Sequence, residues 1–186
     1  MPLQNLPYKK LEPIIRRYLN TIENEKTINL INELSIVKKR GFLTKSELEK
    51  ICRWKSSKPI HLIRKNSENN IRYITKKAFS TKSERKKIEL LTSLNGVAIP
   101  MASSILMLTN PNRYGVIDKR VWELLFKIGT MKKNPKGINF DFKQWYRYLV
   151  IIRYFSKKLK VKARDMERTL FFIHKKYQKG LLYSTD

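Results

Sequence analysis

The 186-residue chain carries 41 Lys and Arg against 15 Asp and Glu, a formal net charge of +26, with 41% hydrophobic and 11% aromatic residues. That apolar content supports a packed core and excludes a disordered polycation, while the charge excess calls for a polyanionic partner whose binding releases counterions. A single cysteine, Cys52, and two distant histidines, His61 and His174, exclude an intrachain disulfide, a four-cysteine cluster and a zinc-hydrolase site.

Helical periodicity dominates in chain order. Tyr8, Leu11, Ile15, Tyr18 and Ile22 keep one face of a first helix apolar, and Ile28, Ile31, Leu34 and Val37 do so for a second that Gly41 ends. Thr44 and Glu47 form a capping box for a third helix running to about Trp54. Residues 55–67, with Pro59 and a serine pair, read as a loop. A helix over 68–79 follows, and Thr81 with Glu84 predicts a capped helix over 82–94. Residues 130–139 are the clearest loop, ahead of a long helix marked by Phe142, Trp145, Leu149, Ile152 and Leu159. Met166, Leu170, Ile173 and Tyr177 mark the last one. No alternating strand pattern occurs, so the fold class is all-α.

Residues 90–121 are the most informative stretch. Leu91 and Leu94 precede Asn95-Gly96-Val97-Ala98, and Ala102, Ile105 and Leu106 follow, which is two helices joined by a tight glycine hairpin. Pro100 suits the first turn of the second helix, where its missing N–H has no helical partner. The turn leaves the amides of Gly96, Val97 and Ala98 facing outward at a helix N-terminus, a phosphate site by geometry. Asp118 then opens a helix over 118–129, as an N-cap at least.

Leu94-x-Gly96-Val97-x-x-x-x-Ala102 followed by Val116-Ile117-Asp118-x-x-Val121 resembles the helix-hairpin-helix (HhH-GPD) DNA glycosylase superfamily, whose hairpin LPGVGxKTA precedes a VDxHVxR segment with the essential aspartate. Asp118 lies 22 residues after Gly96, the family's spacing. The resemblance covers about thirty residues closely and the flanking helices only in kind. It implies a two-lobed helical fold in which 1–186 is one domain, with hairpin and catalytic segment at 90–129 and the terminal helices packing as the second lobe.

Ala98 replaces the second hairpin glycine, which bears on the monovalent cation that the resemblance would place at this turn. Pro100 stands where lyase-competent members carry Lys, and Cys52 alone cannot hold the iron–sulfur cluster of the endonuclease III branch. The implied activity is therefore that of a cluster-free monofunctional glycosylase with no intrinsic lyase, no resident cofactor and no metal. Asp118 would be its catalytic carboxylate, stabilising the oxocarbenium-like sugar and orienting water. The amines of Lys55 and Lys119 are the candidate substitutes should a lyase step exist.

A flipped base needs aromatic or apolar walls. Trp122 and Trp145 sit at core spacing, and Tyr73 and Tyr146 are further candidates. Trp54 and Lys55, at a helix end before a polar loop, are the residues placed at the base pocket or wedge. Lys119 and Arg120 beside Asp118 are assigned to DNA contact, with 157–168 as a basic flank and His61 as a surface histidine.

No compact recognition helix with an Arg/Asn/Gln cluster occurs, which disfavours sequence-specific regulation. The expected partner is double-stranded DNA, read by a monomer that removes a damaged, mismatched or modified base, in excision repair or in defence against modified phage DNA. The alternative is a non-catalytic helix-hairpin-helix DNA-binding protein. MPLQNLPYKK lacks an apolar signal-peptide core and no apolar run reaches membrane-spanning length, so a cytoplasmic, nucleoid-associated protein of bacterial or archaeal type with no membrane partner is expected.

Overall fold

The computed structural model describes residues 11–178, which form eleven α-helices and no extended strand. They are α1 (Leu11–Tyr18), α2 (Glu25–Glu33), α3 (Ile36–Arg40), α4 (Lys45–Lys55), α5 (Ile60–Ile63), α6 (Glu68–Ser80), α7 (Glu84–Thr92), α8 (Ile99–Thr109), α9 (Lys119–Lys127), α10 (Phe142–Leu159) and α11 (Ala163–Tyr177). Tyr8, expected on the first helical face, lies outside the described residues. Among the described residues no helix is long and apolar enough to cross a membrane.

Caps explain most boundaries. Thr44 and Glu47 close the expected capping box on α4, and Asp141 with Gln144 closes another on α10. Four expectations are corrected. Ile22 is 82% exposed and lies beyond α1, because residues 19–24 leave the helix and Asn24 caps α2 instead. The second predicted helix is two, broken at Leu34 and Ser35, with Leu34 fully buried at the break. The 55–67 loop contains the single turn α5, begun at Pro59. The cap of α7 is Ser83, whose hydroxyl accepts from the Lys86 amide, while Thr81 Oγ1 accepts from the Ser83 amide one turn earlier.

The packing is organised about two helices. α8 has every residue from 101 to 109 buried and packs on α2, α4 and α7, so an all-round apolar sequence is accommodated as a central helix. α11 packs on α1, α9 and α10, and the contact of α7 with α10 joins the two groups. Trp122 and Trp145 are buried as expected from their spacing, with Trp122 Nε1 donating to the Asn134 carbonyl. Burial of each such large side chain contributes on the order of 2–3 kcal/mol.

α9 is docked on α11 by His174, fully buried, whose Nε2 lies 2.9 Å from Glu123 Oε2. Its Nδ1 is buried without a partner, so the ring is neutral, donates from Nε2 and leaves a bare lone pair at Nδ1. Burial pushes His174 below its ordinary value and outweighs the upward pull of Glu123. The unfolded chain therefore takes up this proton at about pH 6.5 and the folded chain only at lower pH. Stability contributed by neutral His174 is complete above that range and is lost as pH falls from about 6.5 toward the folded value. Calorimetric melting is expected to show a lower Tm at pH 5.5 than at 7.5, with a smaller difference in His174→Gln; an equal difference in both proteins would contradict this origin.

Candidate active site

The approach to Asp118 is an extended segment, 115–117, threaded between three helices. Ser103 of α8 accepts the Ile117 amide at 3.1 Å through Oγ, which itself donates to the Pro100 carbonyl. Tyr148 of α10 donates its hydroxyl to the Val116 carbonyl at 2.9 Å. Gly115 lies where a Cβ would meet Glu167 Cβ of α11 at 2.6 Å and the Tyr148 hydroxyl at 2.8 Å. The second helix of the hairpin thus holds, through Ser103, the residue that precedes the aspartate. The sequence signal for Ser103 was only a small polar residue on an apolar helix.

Asp118 is the N-cap of α9, with Oδ1 accepting from the Val121 amide at 2.9 Å. Its Oδ2 lies 3.9 Å from Lys55 Nζ, and the two side chains are 18% and 20% exposed. Residues 63 positions apart in sequence meet because α4 ends at Lys55, over the start of α9. Two of the expected site residues, Asp118 and Lys55, are therefore brought together. Trp54, one residue before, is half-buried: Nε1 donates to Thr27 Oγ1 at 2.9 Å, and the Arg164 guanidinium sits 5.5 Å from the ring centre. Trp54 is thus held on both sides by polar partners.

Behind the pair lies a buried ionic network that sequence reasoning missed. Arg164 bonds both Glu23 and Glu167, and Arg168 reaches Glu23 at 3.3 Å and the Asn20 carbonyl at 2.7 Å. Arg164 and Arg168 belong to the expected basic flank 157–168, but both are buried and paired with carboxylates inside the protein. Burial raises Glu167 above the usual carboxylate range, with Arg164 and Lys55 opposing and Asp118 adding to the rise. Burial, together with Glu167 and Asp118, also pushes Tyr148 far up, so it remains a neutral hydroxyl donor to Val116.

At the hairpin, Gly96 adopts φ +78°, and an added Cβ would meet Leu62 Cβ at 3.0 Å and the Ile63 amide nitrogen at 3.1 Å. Asn66 brackets the turn, accepting from the Asn95 amide at 2.9 Å and donating to its carbonyl at 3.0 Å. One expectation is corrected here. The Val97 amide is spent on the Leu94 carbonyl and its side chain is buried, so Val97 is a plug and not a phosphate donor. Among the described residues the amides of Gly96 and Ala98 have no protein acceptor. Lys119 lies 3.9 Å from Glu123, while Arg120 bonds Gln178 and stacks 5.6 Å from the Phe171 ring centre. Both flank Asp118, and both have internal contacts that a phosphate would have to displace.

Tyr73 and Tyr146 are exposed and stand apart from this arrangement. His61 is exposed on α5. Among the described residues no three His, Cys, Asp or Glu side chains come together as a metal ligand set. No protein-family model, curated protein or solved structure matches the chain, so the functional reading rests on the residues themselves.

The gap at Gly115 is testable. Gly115→Ala is expected to cost roughly 1–3 kcal/mol by overpacking against Glu167 and Tyr148, seen as a lower urea midpoint at unchanged slope. A wild-type midpoint would mean that the approach to Asp118 is not held this tightly.

Proposed function

We propose that the protein is a monofunctional DNA glycosylase that hydrolyses the bond between a damaged, mismatched or modified base and deoxyribose, leaving an abasic site. The observation that carries the reading is the Lys55–Asp118 pair at the end of a clamped segment, 22 residues after the hairpin glycine. In this chemistry the glycosidic electron pair leaves with the base while positive charge builds on the sugar. Ionised Asp118 stabilises that charge and orients the water whose oxygen bonds to C1′, and the proton released from water neutralises the departing base. Lys55 keeps a cation beside the carboxylate in the free protein and passes to a DNA phosphate in the complex. The free amides of Gly96 and Ala98 receive a second phosphate. The reading takes excision repair or defence against modified phage DNA as its setting, with a monomer acting on duplex DNA.

Asp118→Asn is expected to lower base release by at least about a thousandfold while duplex affinity stays equal or rises, because a negative charge near the backbone is removed. The measurement is single-turnover incubation with duplexes carrying a panel of lesions and modified cytosines, followed by hot alkali. Turnover at the wild-type rate would sink the mechanism. Strand breakage without alkali would assign a lyase step to the amine of Lys55 or Lys119, since Pro100 has none.

One observation favours the rival, a non-catalytic DNA-binding protein: Asp118 Oδ1 already serves as a cap and Oδ2 already faces a cation. Duplex binding without scission on every substrate would decide for it. Both readings require DNA affinity to fall steeply with salt, by about 0.9 log units per log unit of salt for each phosphate contacted. A slope near zero in fluorescence anisotropy would exclude them together.

A further inference from the structure

A second site stands apart from Asp118. The C-terminal ends of α3, α6 and α8 border a cleft of about 740 Å³, within the range of roughly 300–1,000 Å³ usual for small-ligand sites. Its cations are Lys38, Lys76, Lys82, Lys87 and Arg113, and no acidic residue lines it. Three helix C-termini supply about half a negative charge each, which five cations exceed. Nor do side chains neutralise them: among the described residues the ammonium groups of Lys38, Lys76 and Lys82 have no ion pair or hydrogen bond, and only Arg113 reaches a carboxylate, Glu84, at 3.4 Å.

Lys87 is the built-in element. It is buried, and its ammonium donates to the Ala78 carbonyl at 3.3 Å and to the Thr81 carbonyl, which leaves one of its three N–H donors. Burial lowers its proton affinity, Glu84 offsets this, and Arg113 and Arg153 add repulsion; a bound anion would relieve that strain. Part of the remaining wall is apolar, made by Val37, Phe79 and Leu106 beside the hydroxyl-bearing Ser80, Thr81 and Thr109, and the Asn110 side-chain amide borders it without a partner among the described residues. A bare anion would leave this wall unused, and a neutral ring would leave the lysines unused.

We propose that this cleft binds a nucleotide, its phosphate held by Lys38, Lys76 and Lys87 and its base laid against Phe79 and Leu106 within reach of the Asn110 amide. The nucleotide comes either from the free pool or from a phosphorylated strand end. The site does not depend on the glycosylase reading, and its binding is measured without turnover.

The test is calorimetric titration of the full chain at about 150 mM salt, physiological ionic strength, with deoxyadenosine monophosphate, deoxyadenosine and inorganic phosphate. Saturable binding of the monophosphate is expected, with each fragment at least about tenfold weaker. The double variant Lys38→Ala/Lys76→Ala, both exposed lysines on helix surfaces, is expected to bind about tenfold more weakly or worse at an unchanged Tm. Should that variant melt early, the single variants Lys76→Ala and Asn110→Ala supply the same comparison. No saturable binding, inorganic phosphate as tight as the nucleotide, or variants that bind like wild type would overturn the proposal. Nucleotide affinity unchanged by saturating blunt, unphosphorylated duplex assigns the free pool as source. Displacement of the nucleotide by a 5′-phosphorylated oligonucleotide, and not by its unphosphorylated form, assigns the strand end.

Discussion

The Tyr148 hydroxyl holds the carbonyl of Val116, the Ser103 hydroxyl holds the amide of Ile117, and the pair fastens one extended segment to helices from both packing groups. This short run of backbone belongs to neither group, yet it sets where α9 begins and hence where Asp118 stands. A buried peptide group without a partner costs on the order of a lost hydrogen bond, so each clamp both satisfies the segment and locates it. Gly115 lets the chain pass Glu167 closely enough for the clamps to form. The carboxylate is consequently positioned by side chains from three helices distant in sequence.

Charge is distributed by the same economy. Among the described acidic residues all but Glu25 and Asp141 take part in an ion pair. The best-shielded pairs, Glu23 and Glu167 with Arg164 and Arg168, are internal. Burial alone would raise Glu23, but hydrogen bonding and the charge of Arg164 bring it below the usual carboxylate range. With the acids committed, unpaired lysines dominate the outer surface and the cleft between α3, α6 and α8. A chain of +26 then repels itself at long range and is steered toward polyanions.

Local chemistry was legible in the sequence, and long-range pairing was not. The Thr44–Glu47 box, the Asp118 cap, the turn at Gly96 and the burial of Trp122 and Trp145 each follow from residues within one or two helical turns. The cap of α7 went to Ser83 because two adjacent hydroxyls, Thr81 and Ser83, offered competing starts, and Thr81 bonded the Ser83 amide instead. Arg164 and Arg168 looked like surface cations because their partners Glu23 and Asn20 lie more than a hundred residues away. The place of Lys55 at a helix end is a local signal; its approach to Asp118, 63 residues on, is one that no local pattern contains.

Capping and catalysis do not compete for Asp118. A carboxylate has two oxygens and about four lone-pair sites, and the Val121 amide occupies one of them on Oδ1. That bond holds the side chain in one orientation. The proposed chemistry needs that orientation, with the second oxygen facing a developing cation. Lys55 stands at that oxygen in the free protein, where its ammonium would oppose charge building on a sugar. In the proposed complex a DNA phosphate would offer Lys55 a second counter-charge, so that strand binding would both deliver the sugar and withdraw the competing cation. On that reading capping prepares the carboxylate and substrate binding exposes it.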